Sequence, residues 1–134
     1  MQKPEQPEEM KIIVVDDEED VQSLFRQKFR REIRSGEVEF HFALSAEAAL
    51  SYLQEKGEDQ ISLIISDINM PGMNGLQLLK RVKENFGDVK VFMMTAYSDA
   101  QNLQTAREYQ ADDYMTKPVD FNELKAKIFT VEQA

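Results

Sequence analysis

Ile61-Ser62-Leu63-Ile64-Ile65-Ser66-Asp67-Ile68-Asn69-Met70-Pro71-Gly72-Met73-Asn74-Gly75 is an apolar run that stops at an acid and then breaks into turn residues. The run Ile61–Ile65 is short, β-branched and without polar alternation, which predicts a strand buried on both faces. The segment from Met70 to Gly75 predicts a turn. Leu76, Leu79, Val82 and Phe86 then recur at helical spacing, so a helix follows the strand directly.

The same pattern repeats on either side. Lys11 to Val15 is a buried-type run ending at Asp16 and Asp17, and Val21, Leu24, Phe25, Phe29 and Ile33 form the apolar stripe of a first helix. Glu18, Glu19 and Asp20 favour that helix's N-terminal dipole, and Gly36 suits its end. Val38, Phe40 and Phe42 alternate with polar residues as an edge strand does. Ser45 can cap the second helix, which carries Ala49, Leu50 and Leu53. Val89 to Met94 runs to Thr95, and Ser98 can cap a polar fourth helix with Leu103 and Ala106. Asp113 to Met115 is a short last strand before Lys117-Pro118, and Asp120 with Glu123 reads as a capping box for a fifth helix carrying Phe121, Leu124 and Ile128.

Five strands alternating with five helices define an α/β domain, with a parallel sheet covered on both faces because each crossover is right-handed and buries a helix stripe. Ligands in such a sheet bind at the carboxyl ends of the strands. Asp16, Asp17, Asp67, Thr95 and Lys117 all follow predicted strands, so these sequence-distant groups converge on one edge.

The 134 residues suit one domain, assigned to residues 11–132. Residues 1–10 hold two prolines, three glutamates and two glutamines and read as a loose tail. There is no cysteine, which excludes disulfides and thiolate metal sites. Twenty-five acids against 16 bases give a net charge of −9, which opposes the counterion release that drives nucleic-acid binding. No apolar stretch reaches the ~20 residues of a membrane span. A soluble, cytoplasmic protein is expected.

Three carboxylates gathered at one edge repel, by ~4 kcal/mol per pair at about 4 Å and an effective dielectric near 20. A hard divalent cation relieves this with oxygen ligands, and Mg²⁺ suits a site of carboxylates, waters and phosphate. A carboxylate held in this way can attack a phosphoryl group, and Lys117 can meet the phosphoryl oxygens as a point charge.

Asp16-Asp17, Asp67 with Met70-Pro71-Gly72-Met73-Asn74-Gly75, Thr95-Ala96 and Tyr114-Met115-Thr116-Lys117-Pro118 together resemble the receiver domain of two-component response regulators. The resemblance covers nearly everything beyond the tail. It implies a flavodoxin-like sheet of order 2-1-3-4-5. It implies Asp67 as phosphoacceptor, Asp17 and Asp67 as magnesium ligands, Asp16 as a water-mediated one and the Asn69 backbone carbonyl as another. It also implies that Thr95 draws toward the phosphoryl group while Tyr114 turns inward, and that Asn69 and Tyr97 tune phosphoryl lifetime. A cis bond before Pro118 belongs to the same pattern.

The implied partners are a sensor histidine kinase or phosphotransfer protein as donor, and a downstream protein or output domain that reads the fourth helix, last strand and fifth helix. Gln101, Gln104 and Arg107 make that face polar and reconfigurable, fitting a monomer or a weak phosphorylation-dependent dimer. The only catalysis implied is of the domain's own aspartyl phosphorylation and dephosphorylation, so it is not an enzyme in the ordinary sense.

Two positions depart from the family. Gln110 stands where glycine is usual, so a backbone other than left-handed is expected at the end of the fourth helix. Lys127 and Phe129 stand where winged-helix regulators place arginines, so that subgroup's dimer is not inferred.

Alone, Asp16-Asp17 reads as a helix start, Asp67-Ile68-Asn69 as a turn, and Tyr114 as a strand aromatic with its hydroxyl in water. His41 on the edge strand has a structural role, and the methionines at 70, 73, 93 and 94 fill gaps. Three competing functions are distinguishable. An aspartate-nucleophile phosphatase needs a second acid where Asn69 stands. A flavodoxin-type cofactor binder needs a phosphate cradle where Asp16 to Asp20 stand. An unphosphorylated docking receiver would lack one of the acids or Lys117.

Overall fold

The computed structural model describes residues 9–95 and 100–133. Its sheet has five parallel strands, β1 (Met10–Val15), β2 (Val38–Ala43), β3 (Leu63–Asp67), β4 (Lys90–Thr95) and β5 (Asp113–Thr116), in the order β2-β1-β3-β4-β5. The helices are α1 (Glu19–Lys28), α2 (Arg30–Arg34), α3 (Ala46–Lys56), α4 (Gly75–Asn85), α5 (Ala100–Glu108) and α6 (Phe121–Gln133).

The unbroken apolar runs are explained by a core on each face. Period-two alternation sends Ile13, Val15, Ile64, Val91 and Met93 toward α3, α4 and α5. Their neighbours Ile12, Val14, Leu63, Ile65, Phe92 and Met94 face α1 and α6. A strand that feeds two cores has no polar position to spare, so β3 is buried at all of its residues. Met70, Met93 and Met94 are buried, as gap-filling residues would be.

Three differences from the sequence reading have physical causes. The first strand begins at Met10, one residue ahead of the apolar run Lys11 to Val15, because Met10 is buried and pairs with Val38. The stripe from Val21 to Ile33 forms two helices rather than one, making six in all among the described residues. The chain pivots at Phe29 (φ −105, ψ 20), whose buried ring packs against Phe25, Phe40 and Phe121 with centroids 5.0 to 6.0 Å away. Seating that ring overrides helical continuity.

The third difference is Gln110, which has φ 70 and so adopts the left-handed conformation although it is not glycine. It is held there by the closure of α5. The Ala111 N–H donates to the Ala106 carbonyl at 2.9 Å and the Gln110 N–H to the Arg107 carbonyl at 3.0 Å, the two bonds of a Schellman motif.

The expected caps are present where they can be described. The Ser45 hydroxyl accepts from the Ala48 N–H at 3.0 Å, and Asp120 accepts from the N–H groups of Asn122 and Glu123 at 3.0 and 3.2 Å. Ser98, the cap expected for the next helix, lies outside the described residues. The Lys117-Pro118 bond is cis.

Candidate functional site

Sheet register builds the site. Val15 is level with Ser66, so Asp16 and Asp67 leave adjacent strands side by side. Asp67 is level with Met94 and Thr95 with Thr116, which brings Thr95 and Lys117 to the same edge. The Lys117 N–H also donates to the Thr95 carbonyl at 2.8 Å.

Carboxylate oxygens of Asp16, Asp17 and Asp67 lie within 4.8 Å of one another; Asp16 and Asp67 are buried and Asp17 is exposed. The Lys117 ammonium reaches both buried acids, 3.0 Å from Asp16 Oδ2 and 3.2 Å from Asp67 Oδ2. The other Asp16 oxygen accepts from the Glu18 N–H at 3.0 Å, fixing the turn that leads into α1.

The electrostatics are asymmetric. Burial pushes the Asp67 carboxyl above the ordinary aspartate range; attraction to Lys117 opposes this without overcoming it, and Asp16 adds to the rise. Burial pulls the Lys117 ammonium down, but its hydrogen bond to Asp16 and the charges of Asp67 and Asp16 outweigh that, so its pKa is raised. Lys117 answers to two carboxylates and Asp67 to one ammonium.

Three carboxylates against one ammonium leave two negative charges uncompensated. The donors are all oxygen, and their spread matches a small hard ion, because oxygens on opposite sides of Mg²⁺ are ~4.2 Å apart. The cluster therefore fits a divalent cation of this type.

The loop beyond β3 is braced from two directions. The Asn74 side chain accepts from the Gln77 N–H and the Gln77 side chain from the Asn74 N–H, each at 2.9 Å, closing a capping box on α4. The Met73 N–H donates to Glu47 on α3 at 3.1 Å. Asn69 is exposed on this loop.

Gly75 is a positioning residue that the sequence reading took only as a turn or helix entry. Its N–H donates to the Ile68 carbonyl at 2.8 Å, and a Cβ there would overlap the Asp67 carbonyl oxygen and crowd Ile68. The signal for it was Asn74 with Gln77 three residues on, a helix start placed directly behind the acid.

Thr95 is buried at the end of β4 beside this cluster. Ala96 and Tyr97 lie outside the described residues. Tyr114 is half-buried in β5, with its hydroxyl on Arg107 of α5 at 2.7 Å and not given over to water. Lys127, at one of the departing positions, pairs at 2.7 Å with Asp113 of its own chain. His41 is remote from the acids and stacks on Tyr52 at 3.5 Å; burial, and next Lys56, lower its pKa. No helix among the described residues is long and apolar enough to cross a membrane.

The family model for the response regulator receiver domain matches residues 12–129. The chain is similar to sporulation initiation phosphotransferase F of Bacillus subtilis (strain 168), 30% identical over 115 residues that cover 86% of this chain and 87% of that one. It is also 30% identical over 120 residues to the response regulator ArlR of Staphylococcus haemolyticus (strain JCSC1435), covering 90% of this chain but 51% of that protein. It thus spans most of one relative and about half of the other. Among solved structures, the response regulator protein TrrA of Thermotoga maritima, in complex with Mg²⁺ and beryllofluoride, is 30% identical with a TM-score of 0.77, covering 91% of this chain and 98% of that one. This chain belongs to the receiver domains of response regulators, the phosphorylated signalling modules of two-component systems.

Proposed function

We propose that Asp67 accepts the phosphoryl group of a phosphohistidine, carried by a sensor histidine kinase or phosphotransfer protein in the cytoplasm. The observation that carries this is the cluster itself, in which a buried aspartate at a strand end faces a lysine and two further acids. In the transfer, an Asp67 carboxylate oxygen bonds to phosphorus as the phosphorus–nitrogen bond of the donor breaks, and the electron pair leaves with the imidazole.

Asp17, Asp67 and the Asn69 backbone carbonyl would hold Mg²⁺, with Asp16 reaching it through a water, and the ion would neutralise charge on the transferring oxygens. Lys117, tied to Asp16 and Asp67 beforehand, turns its ammonium to a phosphoryl oxygen. Gly75 keeps the Asp67 backbone seated against α4. Thr95 donates its hydroxyl to the phosphoryl group, Tyr114 leaves Arg107 and turns inward, and the α5–β5–α6 face presents a new surface to a downstream protein or output domain. Asn69 and Tyr97 set how soon water removes the group. Domain catalysis ends with this self-phosphorylation and its reversal.

The test is intact mass after incubation with Mg²⁺ and acetyl phosphate. One base-labile phosphoryl adduct is expected, lost in Asp67→Asn and on chelation. Steady phosphate release at high turnover would identify a phosphatase instead, and absence of any adduct would identify a docking receiver.

A further inference from the structure

An apolar groove of about 480 Å³ runs between α1–α2 and β2, far from the acid cluster in function and composition. Its floor is Val38, Phe40 and Phe42, which share one face of β2 by period-two alternation. Its wall is Arg26, Arg30 and Arg34, spaced four residues apart along the helical turns that flank Phe29. Ile33, one of the few large apolar residues exposed among the described ones, sits at its rim.

The arginines are unneutralised. The chain carries a net charge of −9, and Glu9 and Glu39 border the groove, yet none of the three arginines forms an ion pair among the described residues. Arg26 instead lies over the Phe42 ring, 4.7 Å from its centroid. An arginine row beside an aromatic floor in an acidic protein is complementary to a ligand that is both acidic and apolar.

Geometry selects the form of that ligand. Arg30 and Arg34 stand four residues apart on α2, an advance of ~6 Å, close to the ~6.7 Å between alternate residues of an extended chain. Acids at alternate positions of an extended segment therefore keep step with the guanidinium groups of Arg30 and Arg34, with Arg26 beyond them along the same wall.

We infer that this groove docks an extended acidic peptide segment of a partner protein, in which acidic residues alternate with aliphatic or aromatic ones. The peptide lies along the groove, where Phe40 and Phe42 receive the apolar side chains and Arg26, Arg30 and Arg34 receive the carboxylates.

The experiment titrates the full chain against a short fluorescein-labelled peptide of alternating glutamate and leucine, with the lysine-for-glutamate peptide as control. Saturable binding of the acidic peptide alone is expected, weakened about tenfold or more by Arg30→Glu with Arg34→Glu and weakened by salt. Circular dichroism of that variant and the milder Arg30→Gln with Arg34→Gln guard against misfolding, because both sites are exposed and should leave the fold unchanged. Equal binding of both peptides, or indifference to the arginine substitutions, would overturn the assignment. So would binding that appears only after Glu5→Lys with Glu8→Lys, which would make the chain's own first residues the occupant. An arginine-dependent dimer without peptide binding would overturn it in favour of a second copy.

Discussion

The Nε of Arg107 donates to the Tyr114 hydroxyl at 2.7 Å, and the same guanidinium lies 5.4 Å from the Tyr114 ring centroid. One residue of α5 thus holds Tyr114 of β5, the tyrosine proposed to turn inward, by its hydroxyl and by its ring. Any inward turn of Tyr114 must first give up both contacts. A single hydrogen bond is worth about 0.5–1.5 kcal/mol net, so Arg107→Ala should raise affinity for beryllofluoride in the presence of Mg²⁺ by about two- to tenfold. Tyr114→Phe removes the same bond and should not add to it. Fluorine NMR titration of the two single variants and the double variant checks this; additive effects would mean that Arg107 acts elsewhere.

Gly75 packs its α-carbon against the Asp67 carbonyl, so Gly75→Ala must displace the backbone of Asp67, the proposed phosphoacceptor. Destabilisation of about 1–3 kcal/mol is expected from such overpacking, together with slower labelling by acetyl phosphate. Gly87→Ala is the control, because a Cβ there meets nothing nearer than the Lys83 carbonyl at 3.7 Å. Urea unfolding and labelling rates of the two variants separate a close-approach effect from a general intolerance of alanine for glycine.

The parallel sheet and the convergence of Asp16, Asp67, Thr95 and Lys117 were legible because strand and helix patterns alternate and the apolar runs of β1, β3 and β4 each stop at a polar residue, features local in the chain, whereas the strand order was what the family resemblance implied. The break at Phe29 was not, since it arises from rings of β2 and α6 that the helix's own periodicity does not contain. Gly75 looked like a turn residue because its close approach is to a backbone eight positions earlier. Gln110 was misjudged because its conformation is dictated by two closing hydrogen bonds and not by its own preference. The Arg107 contact joins a helix to a strand through two side chains, and neither residue type reveals its partner.

Gln110 holds φ 70 with a Cβ that the left-handed region disfavours. Replacing it by glycine relieves that local cost but loosens the unfolded chain, which offsets part of the gain. A net stabilisation of about 0.5 kcal/mol is expected for Gln110→Gly, seen as a higher urea midpoint at unchanged m-value. Gln110→Val, a β-branched residue at the same backbone angle, should instead lose stability.

Ionising Asp67 costs the fold, because burial raises its pKa, Lys117 only partly compensates and Asp16 adds to the rise. For an acid whose folded pKa lies above its unfolded value, the native state binds the proton more tightly. Stability then falls as pH rises from the ordinary value of 3.8 through the raised one, and the penalty is complete above it. Asp67→Asn keeps the shape without the charge, so it should raise the thermal midpoint at pH ~7, on the order of 3 °C for each ~1 kcal/mol recovered. The gain should shrink as pH falls toward the ordinary value of 3.8, because the native carboxyl binds its proton more tightly than the unfolded one. Mg²⁺ should close the same gap from the other side, raising the midpoint of the wild-type chain more than that of Asp67→Asn because the variant lacks one of the three clustered carboxylates. Thermal scans of both chains across pH, with and without Mg²⁺, measure this; a variant less stable than wild type at neutral pH would show that the Lys117 contact, and not burial, governs Asp67.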